Sequence, residues 1–102
     1  MELNKMRPVH PGEILRQDYL APLGMSANRL AIELRVPVTR ISKILNQERA
    51  VTDTALRLAR YFGGDAQTGL NLQAACDLKT LVQKHGHEIE KTIRPMEKTI
   101  AD

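Results

Sequence analysis

Apolar residues recur along this chain at three- and four-residue intervals, and prolines and glycines break the pattern into five blocks. Pro8 and Pro11 precede Ile14, Leu15 and Leu20, and Pro22 and Gly24 follow them, predicting a helix from about Gly12 to Leu20. Ser26, whose hydroxyl can accept from an unpaired backbone N–H, opens a second block in which Leu30, Ala31 and Leu34 share one face. After Arg35-Val36-Pro37 comes a third, with Ile41, Ile44 and Leu45 facing inward. The fourth carries Ala55, Leu56, Leu58, Ala59, Tyr61 and Phe62, with Thr52 or Asp53 as its cap and Gly63-Gly64 as its stop. The fifth spans about residues 66–84, with Leu72, Ala75, Cys76, Leu78, Leu81 and Val82 at helical spacing. These blocks predict an all-α, five-helix bundle over residues 1–84. The charged residues 85–102 form a tail, either helical or disordered.

The second and third blocks are both short, and only three residues separate them. Two such helices, the second basic on its outer face, make the pattern of a helix-turn-helix, whose second helix enters the DNA major groove. Ala31 suits the point of closest approach between crossing helices, where a small side chain is needed. Val36 and Ile41 supply the apolar contacts that set the angle, and Leu30 and Leu34 hold the second helix on the core. Thr39, Arg40 and Lys43 are left on the outer faces of the third.

Composition sharpens this picture. At 102 residues the chain is the size of one domain, and with 3% aromatic residues and no tryptophan its core is built from aliphatic side chains. The lone Cys76 cannot form an internal disulfide and falls inside an apolar stripe, which predicts a packed thiol. With no long apolar run to act as a signal or membrane span, a cytoplasmic protein without membrane contact is expected. The chain has 15 basic and 12 acidic residues. Residues 26–50 hold Arg29, Arg35, Arg40, Lys43 and Arg49 against Glu33 and Glu48, which accounts for the whole excess. Positive charge confined to the helix-turn-helix quarter is the footprint expected of a polyanion site, although a solvated basic face would look the same.

Catalysis finds little support. His87-Glu88 begins like a zinc-protease helix, but the second histidine would fall at Lys91, and His85 and His87 do not share a helix face. No Gly-rich phosphate loop or paired nucleophile and base occurs, so no enzyme, metal or cofactor is expected. A pure protein-interaction module would have no physical need for Arg40 and Lys43 beside Thr39.

Five stretches in order, Arg7–Leu15 (RPVHPGEIL), Leu20–Ala31 (LAPLGMSANRLA), Val36–Asn46 (VPVTRISKILN), Thr52–Gly63 (TDTALRLARYFG) and Leu70–Gln73 (LNLQ), carry a further signal. Through them the chain resembles the Xre (Cro/C1-type) helix-turn-helix repressors, and more closely the HigA-type antitoxins among them. The resemblance implies a lambda-repressor-like five-helix domain that dimerises, binds a palindromic operator in its own promoter and neutralises an mRNA-cleaving toxin of HigB type. A phage or metabolic repressor with no toxin partner is the alternative. Three positions depart from the family pattern. Arg35 stands where the turn often has glycine, and a positive φ there would cost on the order of 1 kcal/mol unless the turn uses another geometry. Pro37 replaces a serine cap, so the third helix starts at Pro37 or Val38. Gly69 replaces a usual tryptophan, which bears on packing around the fifth helix.

In a helix-turn-helix the N-terminal half of the third helix meets base edges, which makes Thr39, Arg40 and Lys43 the candidate readers. The guanidinium fork of Arg40 matches guanine O6 and N7. Ser26, Asn28 and Arg29 at the start of the second helix, and Asn46, Gln47 and Arg49 after the third, are candidates for the phosphate backbone. For Ser26 a plain capping role competes and can coexist. One module buries too little for tight binding, so a homodimer reading two half-sites is expected. Leu72, Ala75, Leu78, Leu81 and Val82 are its candidate surface, unless the monomer core uses that stripe up.

Overall fold

The computed structural model describes residues 7–96, and within them every regular element is helical. Five helices follow one another: α1 (residues 11–23), α2 (Ala27–Leu34), α3 (Val38–Leu45), α4 (Ala55–Phe62) and α5 (residues 66–92). This is the all-α, five-helix arrangement that the blocks of periodicity predict. The shared core is aliphatic, formed by Leu15 and Leu20 of α1, Leu30, Ala31 and Leu34 of α2, Ile41, Ile44 and Leu45 of α3, and Val51 from the loop after α3. Met25, Val36, Leu58 and Phe62 pack against it.

The first helix starts as expected and ends later. Pro11 occupies the first turn, where a missing N–H costs nothing, and His10 caps it through Nδ1, which accepts from the Gly12 N–H at 2.9 Å. The helix does not stop at Leu20. Leu15–Leu20 winds as a π-helix, with the Ala21 N–H reaching back to the Arg16 carbonyl, and α-helical geometry resumes through Pro22 to Leu23. The wider winding carries the chain past a proline that would otherwise break the hydrogen-bond ladder. Gly24, at φ 62°, then closes the helix.

Gly12 is fixed by crowding. A Cβ there would lie 1.9 Å from the backbone oxygen of Ile44, so the start of α1 lies directly against the end of α3. That close approach seats the end of α3 on the start of α1. From the other side, the loop after α3 is tied to α5 by Gln73, whose Oε1 accepts from the Val51 N–H at 2.8 Å while its Nε2 donates to Asp77 at 3.0 Å. Gln73 is buried, and so the buried N–H of Val51 is satisfied.

Two expectations need correction. Helix α4 is preceded by Thr54, which is fully buried and makes no side-chain capping bond, rather than capped by Thr52 or Asp53. The fifth helix does not end near residue 84. Ala66–Leu81 passes through a π-helical Val82–Gly86 into His87–Thr92, a continuous rod roughly 40 Å long at about 1.5 Å per residue. The boundary expected between 84 and 85 therefore falls inside a helix, and the tail is helical as far as Thr92. Residues 97–102 of that tail lie outside the described residues. Cys76 is buried as predicted, and burial raises its thiol pKa, away from the reactive thiolate.

Gly69 opens a gap. The space beside it, bounded by α1, α4 and the start of α5, forms an apolar pocket of about 320 Å³. The candidate dimer stripe further along α5 is not used up by the core. Leu72 stands at 36%, Leu78 at 52% and Leu81 at 55% exposure; Ala75 is also exposed, and Val82 is half-buried.

Candidate nucleic-acid interface

The turn between α2 and α3 is built by the backbone. Arg35 takes the left-handed conformation, φ 59° and ψ 46°, and its N–H bonds to Ile32 O at 3.2 Å while the Val36 N–H bonds to Ala31 O at 3.1 Å. This pair of reversed hydrogen bonds is the glycine-type helix stop, made here with an arginine at the strained position. Pro37, extended at φ −61° and ψ 143°, is the residue before α3, so the helix begins at Val38. At its far end Gln47 repeats the motif at φ 63°, with its N–H on Ile44 O and the Glu48 N–H on Lys43 O at 2.8 Å. Two left-handed residues, neither a glycine, thus bracket the third helix.

Ile41, Ile44 and Leu45 are buried, which turns the opposite side of α3 outward. Thr39 and Lys43 are exposed there. Arg40 is half-buried, not fully outward as its place on the polar side suggests. Its Nε is enclosed and makes no hydrogen bond within the described residues. Its charge helps depress the Asp53 carboxyl, whose main cause of lowering is the hydrogen bond from Arg49.

The flanking candidates divide by what already holds them. The Ser26 hydroxyl caps α2, accepting from the Arg29 N–H at 3.1 Å. Arg29 pairs with Glu33 at 2.8 Å, and Arg49 pairs with Asp53. Both pairs are surface-exposed and worth at most about 1 kcal/mol, so a phosphate could displace the carboxylate. Asn28 and Gln47 are exposed. Among the described residues Arg35, Arg40 and Lys43 have no carboxylate within ion-pair distance, so the unneutralised charge of this quarter lies on the turn and the third helix.

One residue escaped the sequence reading. Arg16, on the outer face of α1, donates from Nη2 to Asn46 Oδ1 at 3.3 Å, and with Ser26, Ser42 and Asn46 it lines a cleft where α1, α2 and α3 meet. Nothing in the spacing of α1 marks it, because the contact spans 30 positions of chain. Among the described residues no set of three or more His, Cys, Asp or Glu could hold a metal, and no helix is long and apolar enough to cross a membrane.

A short helix held on the core, a tight turn, and a second helix with its polar, basic side outward define a helix-turn-helix protein. Comparison with known proteins makes the assignment narrower. The chain is 57% identical over 81 residues to virulence-associated protein I of Dichelobacter nodosus, covering 78% of this chain and 75% of that one. It superimposes on a HigA-family addiction-module antidote protein from Coxiella burnetii with a TM-score of 0.82 and 48% identity, covering 89% of this chain and all of the other. The antitoxin HigA of Pseudomonas aeruginosa, solved with the higBA promoter, gives a TM-score of 0.85 at 39% identity with the same coverage. No protein-family model matches. The chain belongs to the HigA family of antitoxins.

Proposed function

We propose that this chain is a sequence-specific DNA-binding repressor, the antitoxin of a type II toxin–antitoxin system, acting in the cytoplasm without catalytic activity. As a homodimer it binds a palindromic operator in its own promoter, and it neutralises an mRNA-cleaving toxin of HigB type. The observation that carries this reading is the outward side of α3, where Thr39 lies beside Lys43 and the half-buried Arg40, neither of which has a carboxylate within ion-pair distance among the described residues. The HigA relative solved with promoter DNA supports it.

In this reading Thr39, Arg40 and Lys43 meet base edges. Ser26, Asn28, Arg29, Asn46, Gln47 and Arg49 meet the phosphates, and Arg16 joins them through its contact with Asn46. The DNA-binding domain in this reading is residues 1–84, with α5 running on beyond it as far as Thr92. The stripe of exposed Leu72, Ala75, Leu78 and Leu81 with the half-buried Val82 supplies the dimer surface, since an apolar face of this kind gains by being covered.

Footprinting on the chain's own upstream promoter, with titrations at two salt concentrations, tests the assignment. Specific protection of a two-fold site is expected, with affinity falling steeply as salt rises. Arg40→Ala is expected to cost about 1–3 kcal/mol and to relax preference at one base pair. Arg49→Ala should weaken all sequences alike. Unchanged affinity and preference in Arg40→Ala would remove it from the readers. Co-purification with the product of a neighbouring reading frame tests the toxin partner.

A further inference from the structure

The pocket beside Gly69 is unrelated to the DNA-facing side of α3. Its volume of about 320 Å³ comes from small residues at three corners, Ala55 and Ala59 on α4 and Gly69 on α5. One wall is aromatic: Tyr19 of α1 and Phe62 of α4 lie with ring centroids 4.9 Å apart and planes tilted by 53°.

The lining chemistry narrows the class of occupant. Its only carboxylate, Asp65, sits at the N-cap of α5 with Oδ1 already accepting from the Gln67 N–H at 3.1 Å. No buried side-chain nitrogen or oxygen of the lining is left without a hydrogen-bond partner, so the recess asks for neither a counter-charge nor an ordered water. An anion would lose hydration there and meet no cation, only the Asp65 carboxylate at the rim. An apolar cavity of about 150 Å³ holds a benzene ring. The recess here is open to solvent on one side, and its tilted rings present both a face and an edge, which suits a planar aromatic of one or two rings.

We infer that the recess formed by Tyr19, Ala55, Ala59, Phe62 and Gly69 is a binding site for an uncharged, planar aromatic molecule of one or two rings. Val51, Leu15 and Ala55 belong both to this lining and to the buried interior, and Val51 is the residue that Gln73 ties to α5. A ligand seated there touches the loop leaving the third helix. The site uses none of the outward side of α3, and although Leu72 at its rim also belongs to the proposed dimer stripe, it survives if the DNA-binding reading fails.

Indole is the probe. Titrated into the full chain and followed by NMR, it is expected to saturate one site per chain, shifting the Ala55 and Ala59 methyls and the Tyr19 and Phe62 rings. Gly69→Leu is the blocking variant. A Cβ at residue 69 meets only Ala55 Cβ at 3.9 Å, an ordinary contact, so the backbone accepts a side chain there and the leucine is expected to occupy the recess. It should weaken indole by at least about tenfold, the order expected when the ligand and a core-type side chain compete for one space. Ala59→Leu blocks from the opposite helix and gives the same result if Gly69→Leu fails to fold. Indole-3-acetate, carrying a carboxylate, should bind at least about tenfold more weakly than indole. The inference is overturned by the absence of saturable shifts up to the solubility of indole, by shifts concentrated on Leu78 and Leu81 instead, by undiminished binding in both blocked variants, or by equal binding of indole-3-acetate.

Discussion

The backbone of residue 12 runs directly against the carbonyl of Ile44, with no room between them for a single carbon: a Cβ on Gly12 would lie 1.9 Å from that oxygen. Since the obstructing atom is main chain, it cannot swing aside like the tip of a flexible side chain. Gly12→Ala should therefore destabilise the domain by about 3 kcal/mol or more, at or beyond the upper end of ordinary overpacking costs, because α1 and α3 must separate. Urea unfolding of the two proteins checks this. A change within about 0.5 kcal/mol would show that the two helices are not pressed together here.

Gln73 is the second stitch between distant parts of the chain. Gln73→Leu removes the acceptor of a buried Val51 N–H and the donor to Asp77, and leaving one buried donor unpaired costs about 1–3 kcal/mol. The expected readout is a lower melting temperature together with faster amide exchange at Val51. Slow exchange there in the variant would mean that Val51 bonds elsewhere.

Stability should fall in mild acid through His10. Burial is the main cause holding its imidazole below the ordinary value of 6.5, against smaller opposing effects from Asp77 and the Arg49 backbone. The folded form thus binds the proton less well than the unfolded chain does. The stabilisation is complete above about pH 6.5 and is lost as pH falls from there towards the lower folded value. Protonation of Nδ1 would also cost the bond from Gly12. His10→Asn keeps an acceptor and should flatten this part of the stability–pH curve. Carboxylates follow at lower pH: Glu13 beside Arg7 and Asp53 beside Arg49 are depressed below 4.5 and 3.8, so their contributions vanish as pH drops through those lower values. Equal slopes for wild type and His10→Asn between pH 6.5 and 5 would exclude the histidine.

Arg35→Gly should stabilise. The arginine holds φ 59° at the turn, a conformation costing a side-chain-bearing residue on the order of 1 kcal/mol, partly offset by the extra freedom of glycine when unfolded. A gain of about 0.5–1 kcal/mol, a few degrees in melting temperature for a domain of this size, is expected by calorimetry. A loss of stability would show that the guanidinium contributes more than the backbone conformation costs.

Much of the architecture was readable from spacing, because Leu30, Ala31, Leu34, Ile41, Ile44 and Leu45 recur with the helical period and all are buried in one core. The errors arose where tertiary structure overrides local rules. Pro22 reads as a stop, yet a π-helical stretch upstream carries α1 through it. Residues 85–92 read as a charged tail, helical or disordered, and of the two they are helical, because they continue a helix already nucleated over Ala66–Leu81, which makes extension cheap. Within the candidate interface, Thr39 and Lys43 lie where the periodicity puts them. The burial of the Arg40 Nε, the Arg16–Asn46 contact and the crowding at Gly12 depend on pairs distant in sequence, for which one chain carries no local signal.

The two left-handed corners at Arg35 and Gln47 clip α3 like a rung between uprights. A rung so held cannot be re-aimed by winding it one residue forward or back. In the proposed DNA-binding reading, a change of operator preference then comes from exchanging the side chains at positions 39, 40 and 43 and not from moving the helix that carries them.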